Sequence, residues 1–148
     1  IDLSKLDSKE LYSSKVDHVS STISAKKLLR DQLIRFQRDF PKNYGLDSKL
    51  VIIEGRDIGT VIFPNADSKI FLWADAATRA SRRYNQNIKN GKKTSYNRIF
   101  REINARDRRD LTRKIAPLIP ASNSVLLDTS YIDIEQVFNA LIKNILKA

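Results

Sequence analysis

The sequence contains no cysteine. Disulfides, zinc knuckles and thiol catalysis are thereby excluded, and a small disulfide-stapled secreted scaffold is disfavoured. It contains a single histidine, His18, with no cysteine or second histidine beside it. A metal role is therefore not expected, and His18 reads as a surface residue on a helix. No apolar run approaches the ~18 residues of a membrane-spanning helix, and no charged-then-apolar leader is evident, so a soluble protein is expected. Acidic residues are scarce relative to basic ones: 17 Asp and Glu stand against 27 Lys and Arg, a formal charge of +10. Such a field attracts anions, whether nucleic acid, phosphorylated metabolites or acidic lipid heads, and does not by itself choose among them. At 148 residues and 41% hydrophobic composition the chain suits one domain with one core. Internal repeats and low-complexity tracts are absent.

Apolar periodicity supplies the elements. Val16, Val19 and Ile23 recur at helical spacing, as do Leu29, Leu33, Phe36 and Phe40, which predicts a helical N-terminal part ended by Pro41 and Gly45 in PKNYGLDSK. Three continuous apolar runs follow, LVIIE at 50–54, KIFLW at 69–73 and SVLLD at 124–128. Each reads as a strand covered on both faces in a parallel sheet. A long arginine-rich helical region separates the second run from the third. After the third, Ile134, Val137, Phe138, Leu141, Ile142 and Ile145 form one helix face, with Asp133 and Gln136 spaced as a capping box. Strands alternating with helices predict an α/β fold. Three strands make a narrow sheet, fewer than a doubly wound fold normally has.

Chemistry concentrates in two places. LVIIE runs directly into Gly55-Arg56-Asp57, placing a cation and an anion side by side where the apolar chain stops. In ARDRRDLTR, Arg106, Asp110 and Arg113 fall at i, i+4 and i+7, one narrow helical arc whose preceding turns carry Ile99 and Ile103. Guanidinium forks suit phosphate oxygens, and a carboxylate between them can hold a hydroxyl or orient the forks. A solvated face of intrahelical ion pairs would produce the same spacing.

The combination EGRDIGTVIFP, then KIFLWA, RASRRYNQ and RDRRDLTRKIAPLIPA closely resembles the cytidylate kinase family, nucleoside monophosphate kinases that pass the ATP γ-phosphoryl to CMP or dCMP. The resemblance covers nearly the whole chain from about Leu11 onward. It implies a P-loop kinase-like parallel sheet flanked by helices, with residues 1–45 as part of a helical monophosphate-binding insert, 46–148 as the remaining core and a lid at about 76–106. ATP and Mg²⁺ are the implied cofactors, CMP or dCMP the substrate and the cytoplasm the compartment. A monomer is expected, with no membrane or nucleic-acid partner. Members begin with a strand and a P-loop, G-x-x-x-x-G-K-[ST], whose amides and lysine cradle the ATP phosphates. None of Gly45, Gly55, Gly59 and Gly91 starts that pattern. The expectation is a chain that starts inside the insert, by truncation or proteolysis rather than degeneration, and that is inactive alone.

Residue by residue, the resemblance implies that Asp57 accepts from the cytosine amino group while Arg56 binds the CMP phosphate. It places Ser21 and Arg30 on cytosine. It puts Arg106 and Arg113 on the phosphate and sugar, with Asp110 on the ribose hydroxyl. Arg82 and Arg83 match a mobile lid closing on ATP, with KNGKKTS at 89–95 as its tip. Arg56, Arg82, Arg106 and Arg113 would neutralise charge on the transferring group, Mg²⁺ would bridge the β- and γ-oxygens, and no general base is required because the monophosphate is already ionised. No metal-ligating residues are implied. Tyr12 stands where many relatives carry arginine, and Trp73, where they carry something smaller, reads as core or interface packing. Two rivals remain: a kinase for UMP or TMP, and a basic nucleic-acid-binding module using Tyr84, Tyr96 and Phe100 as stacking platforms. Against the second, Tyr96, Ile99, Phe100 and Ile103 share helical spacing and read as core.

Overall fold

The computed structural model describes residues 14–24, 26–44 and 50–146. Two helices come first, α1 (Ser14–Ile23) and α2 (Lys27–Tyr44), followed by a single π-helical turn over Ile58–Ile62. Strand β1 (Ile70–Trp73) leads into α3 (Ala76–Lys89) and α4 (Tyr96–Thr112), and β2 (Val125–Asp128) into α5 (Ile134–Ile145). The strands are parallel, in register from Ile70 opposite Val125 to Trp73 opposite Asp128. Backbone bonds continue the ladder beyond both ends, from Val125 N to Lys69 O at 2.9 Å and from Thr129 N to Trp73 O at 2.8 Å. A parallel pair needs a crossover, and here α3 and α4 supply it.

Those two helices hold the centre of the core. Ala80, Ile99 and Ile103 are buried together, and Ala76, Tyr84, Tyr96 and Phe100 pack around them, with the Tyr96 and Phe100 rings stacked at 6.1 Å. Tyr84, Tyr96 and Phe100 are thus half-buried against the core, as the helical spacing of Tyr96 and Phe100 with Ile99 and Ile103 indicates. Arg79 clamps the hairpin: its two terminal nitrogens meet the Asp107 carboxylate at 3.0 and 2.6 Å while Nε donates to Ala74 O at 2.8 Å. Asp75 caps α3 by accepting from Thr78 N at 2.7 Å. The turn between the helices passes through Gly91 at φ +68°, a left-handed conformation that side chains disfavour. The expected capping box of α5 is present, Asp133 accepting from Gln136 N and Gln136 Oε1 from Asp133 N.

Four expectations are corrected. Residues 50–54 join no ladder among the described residues, so the sheet has two strands there rather than three. An extended segment becomes a strand only when a neighbour takes up its amides and carbonyls, and none does so here; Ile52 is 75% exposed. Nor are β1 and β2 covered on both faces: Leu72 and Leu126 are more than half exposed. Trp73, 47% exposed at the end of β1, is not core, which leaves interface packing of its two readings, and α5 buries none of its residues. Finally, Pro41 lies inside α2 rather than ending it. Proline removes only its own bond to the carbonyl one turn back, and in the last turn of an 18-residue helix that loss is tolerated. Gly45, Leu11 and Tyr12 lie outside the described residues.

Candidate functional site

The site is assembled from α1, α2, α4 and the turn at 54–57. A Cβ on Gly55 would fall 2.7 Å from the Ile58 side chain, which would have to shift to admit one, and Arg56 and Asp57 follow directly, with Asp57 capping the π-helical turn. From α2, Arg38 donates to Val61 O at 2.8 Å and Ile62 O at 2.9 Å, holding that turn against the helix. Eight residues earlier on α2, Arg30 forms an ion pair with Asp57, and the two side chains are only 11% and 12% exposed.

Asp110 is the most enclosed charged group described, at 2% exposure. Burial of a carboxylate costs several kcal/mol of order unless it is paired, and three guanidiniums surround this one. Arg56 Nε lies 3.5 Å away, Arg106 Nε 3.8 Å and Arg113 Nη1 3.9 Å. Ser21 Oγ on α1 donates to Asp110 Oδ1 at 3.2 Å and lies 3.4 Å from Arg109 Nε. Just beyond α4 the chain folds back: Leu118 N donates to Asp110 O at 2.8 Å, and Arg113 Nε to Ala116 O at 2.6 Å, with Ala116 at φ 48°. Arg113 Nη1 also donates to Ser24 Oγ at 3.1 Å. Two buried polar atoms, Asp110 Oδ2 and Arg113 Nη2, have no hydrogen-bond partner among the described residues. Partial burial, and next the neighbouring Arg106 charge, hold the Arg56 guanidinium below the usual arginine range, with Asp110 and Asp107 opposing the effect.

Two cavities meet at these groups. One, of about 320 Å³, is lined by Ser21, Arg30, Arg56, Asp57, Arg106, Asp110 and Arg113. All seven residues singled out as substrate ligands therefore face one space. The other, of about 450 Å³, shares Arg56 and Arg106 and adds His18, Arg79, Arg83 and Arg109. Arg82 lines neither cavity. Its Nη2 donates to Thr129 O at 2.5 Å and Ile132 O at 3.1 Å, which fastens α3 to the loop after β2. Arg83, one residue on and about 100° around the helix, lines the larger cavity instead.

Arg38, Arg79, Asp107 and Arg109 were not singled out from the sequence. Asp107 precedes Asp110 by three residues and shares its helix face, a signal hidden by the density of charge in that stretch. Among the described residues no group of three or more His, Asp and Glu could hold a metal ion. No helix there is long and apolar enough to cross a membrane.

Comparison with known proteins gives one consistent match. The family described as cytidylate kinase matches residues 4–147. The chain is 40% identical over 134 residues to a cytidylate kinase of Pediococcus pentosaceus, covering 90% of this chain and 57% of the relative. A cytidylate kinase of Nocardia farcinica is 40% identical over 134 residues, with 90% and 56% covered. One from Bartonella quintana is 40% identical over 151 residues, with 100% and 68% covered. The chain thus spans little more than half the length of the first two relatives.

Proposed function

This chain belongs to the cytidylate kinase family, and on that premise we propose that its smaller cavity holds CMP or dCMP as the acceptor of the ATP γ-phosphoryl group in the full-length protein. The observation that carries the reading is that Arg113 Nη2 and Asp110 Oδ2 are buried without a hydrogen-bond partner among the described residues, Oδ2 having Arg56 and Arg106 only at ion-pair distance, in a cavity that also presents the Arg30–Asp57 pair. Buried polar atoms are nearly always partnered, so these two call for a water, an ion or a ligand group, and a bound nucleotide would supply one. A ribose hydroxyl suits the Asp110 carboxylate, which still lacks a hydrogen bond at Oδ2, and a phosphate oxygen suits Arg113 Nη2.

In this reading Asp57, oriented by Arg30, accepts from the cytosine 4-amino group, with Ser21 at the edge of the base and sugar. Arg56, Arg106 and Arg113 hold the monophosphate and cancel charge as the new bond forms. Positioning and neutralisation supply most of the catalysis in phosphoryl transfer, so no general base is needed. ATP, with Mg²⁺ on its phosphates, supplies the phosphoryl group. The described residues fit the acceptor and not the donor: they include no metal-holding group, and the 148 residues contain no G-x-x-x-x-G-K pattern. Arg83 at the larger cavity is the candidate on the donor side. The division at 1–45 and 46–148, with a lid at about 76–106, belongs to the same proposal, as does action in the cytoplasm as a monomer.

Calorimetry of the 148-residue chain with CMP, dCMP, UMP and TMP tests the reading. Saturable binding of the cytosine nucleotides, weaker binding of the others and shallow salt dependence are expected. Equal affinity for all four bases, or preference for a polynucleotide with steep salt dependence, would overturn it. Turnover with ATP and Mg²⁺ is expected only when a polypeptide supplying a P-loop is present.

A further inference from the structure

The π-helical turn after Asp57 is tied to α2 at both of its ends. Within the turn Val61 N and Ile62 N both donate to Asp57 O, at 2.9 and 3.2 Å, and Phe63 N donates to Ile58 O at 2.7 Å, so the backbone of Asp57 moves as one piece with Val61 and Ile62. The Val61 and Ile62 carbonyls lie past the last of those bonds, where a helical turn has no internal donor left. Arg38 supplies both donors, Nη2 to Val61 O at 2.8 Å and Nε to Ile62 O at 2.9 Å. Ile62 is only 2% exposed, so the turn is seated in the core and α2 takes its register from it. Arg30 stands eight residues earlier on α2, ~12 Å along the helix and ~80° around it. Its Nη2 holds Asp57 Oδ2 while its Nη1 donates to Ser24 O at 3.3 Å, so this guanidinium spans from the end of α1 to the start of the turn. A helix held at one point can pivot, and one held at two cannot. Arg38 itself lines neither cavity.

We propose that Arg38 is a specificity-determining positioning residue: by fixing α2 on the Val61 and Ile62 carbonyls it sets the height of Arg30 opposite Asp57, and so the direction in which Asp57 presents its carboxylate to a pyrimidine base. The inference rests on the proposed reading of the cytosine 4-amino group by Asp57. Without Arg38 the Arg30–Asp57 pair persists, but the helix that carries Arg30 is free to pivot about it. A carboxylate that turns with its partner discriminates less well between an amino group and a carbonyl. Phosphate binding is spared, because Arg106 and Arg113 act from α4 and its C-cap.

The test is calorimetry of the 148-residue chain and its variants with CMP and UMP. Arg38→Ala should narrow the CMP:UMP affinity ratio by about 3- to 10-fold, the scale of one net hydrogen bond, with the loss falling on CMP and UMP affinity within about twofold of the parent. Arg38→Lys keeps the charge but not the two-pronged fork, and should narrow the ratio less. Arg35→Ala removes the same charge from α2 three residues earlier and should leave the ratio unchanged. In an Asp57→Ala background Arg38→Ala should narrow the ratio no further, a signature of action through Asp57 that a merely stabilising arginine would not give. An unaltered ratio in Arg38→Ala, an equal narrowing in Arg35→Ala, or an undiminished effect of Arg38→Ala in the Asp57→Ala background would each overturn the proposal. Should Arg38→Ala fail to fold, a parental ratio in Arg38→Lys would overturn it. A parent chain that binds CMP and UMP alike overturns the base reading and this inference with it, whereas a discriminating parent beside an equally discriminating Arg38→Ala overturns this inference alone.

Discussion

Arg30 and Asp57, 27 residues apart, form an ion pair that ties α2 to the turn following residues 50–54. Arg30 holds one carboxylate oxygen, Oδ2, and the pair lines the smaller cavity. A carboxylate only accepts hydrogen bonds, so Asp57 suits the 4-amino group of cytosine and opposes the 4-carbonyl of uracil. Asp57→Ala in the full-length protein should cut kcat/KM for CMP sharply and for UMP slightly, shrinking their ratio by about 10- to 100-fold. Arg56→Ala should penalise both substrates alike. Equal losses for CMP and UMP in Asp57→Ala would make Asp57 an orienting group for its neighbours.

The arginines around Asp110 should separate into two kinds. Arg113, whose side chain is 7% exposed, is bonded to Ala116 O and Ser24 Oγ, whereas Arg106 is more open at 28%. Arg106→Ala should lower kcat/KM for CMP with little change in Tm. Arg113→Ala should lower both, and Asp110→Ala should destabilise most, by about 3–5 kcal/mol, because it leaves buried guanidiniums without their counter-charge. Thermal unfolding beside CMP titration checks the order, and an Asp110→Ala variant as stable as the parent would contradict it.

Arg82 should behave as a fastener. Arg82→Ala removes bonds to the Thr129 and Ile132 carbonyls, which is expected to cost about 1–2 kcal/mol of stability, with CMP affinity within about twofold of the parent. A variant of unchanged stability and lowered turnover would restore its reading as a lid residue.

Acid should act on α3 through its cap. The Asp75 carboxyl lies below the usual carboxylate range because the Thr78 backbone N–H, and then the Thr78 hydroxyl, donate to it. A folded-state pKa below the unfolded value stabilises above about pH 3.9, and that contribution is lost as pH falls through the folded value. Asp75→Asn should therefore flatten the loss of stability below about pH 4 in urea melts taken across that range. An unaltered acid limb would assign the loss to other carboxylates.

Local features were legible in the sequence. The α5 capping box, the α3–α4 core of Ile99 and Ile103, and the single arc of Arg106, Asp110 and Arg113 all follow from spacing within one helix. Features that depend on a distant neighbour were not. LVIIE has strand composition, yet ladder membership requires another strand beside it. Whether Arg82 or Arg83 faces the cavity turns on how α3 packs against the loop after β2, which periodicity does not specify. The clamp between Arg79 and Asp107 joins residues on different helices within a run of charges, where no single pairing stands out. Of the residues lining the smaller cavity, Arg56, Asp57, Arg106 and Asp110 were legible through the EGRD and RDRRD motifs, but the Arg30–Asp57 pair required coordinates.

The pairing of β1 with β2 bears on how the chain reaches its native state. Ile70 and Val125 are brought into register across the whole of α3 and α4, and closing so long a loop before any reward is entropically slow. The helical hairpin, whose contacts are local, can form beforehand and shorten the effective span. Early commitment then belongs to Ala80, Ile99 and Ile103, and strand pairing comes late. Mutations in the hairpin core should slow refolding, whereas those in the strands should chiefly hasten unfolding.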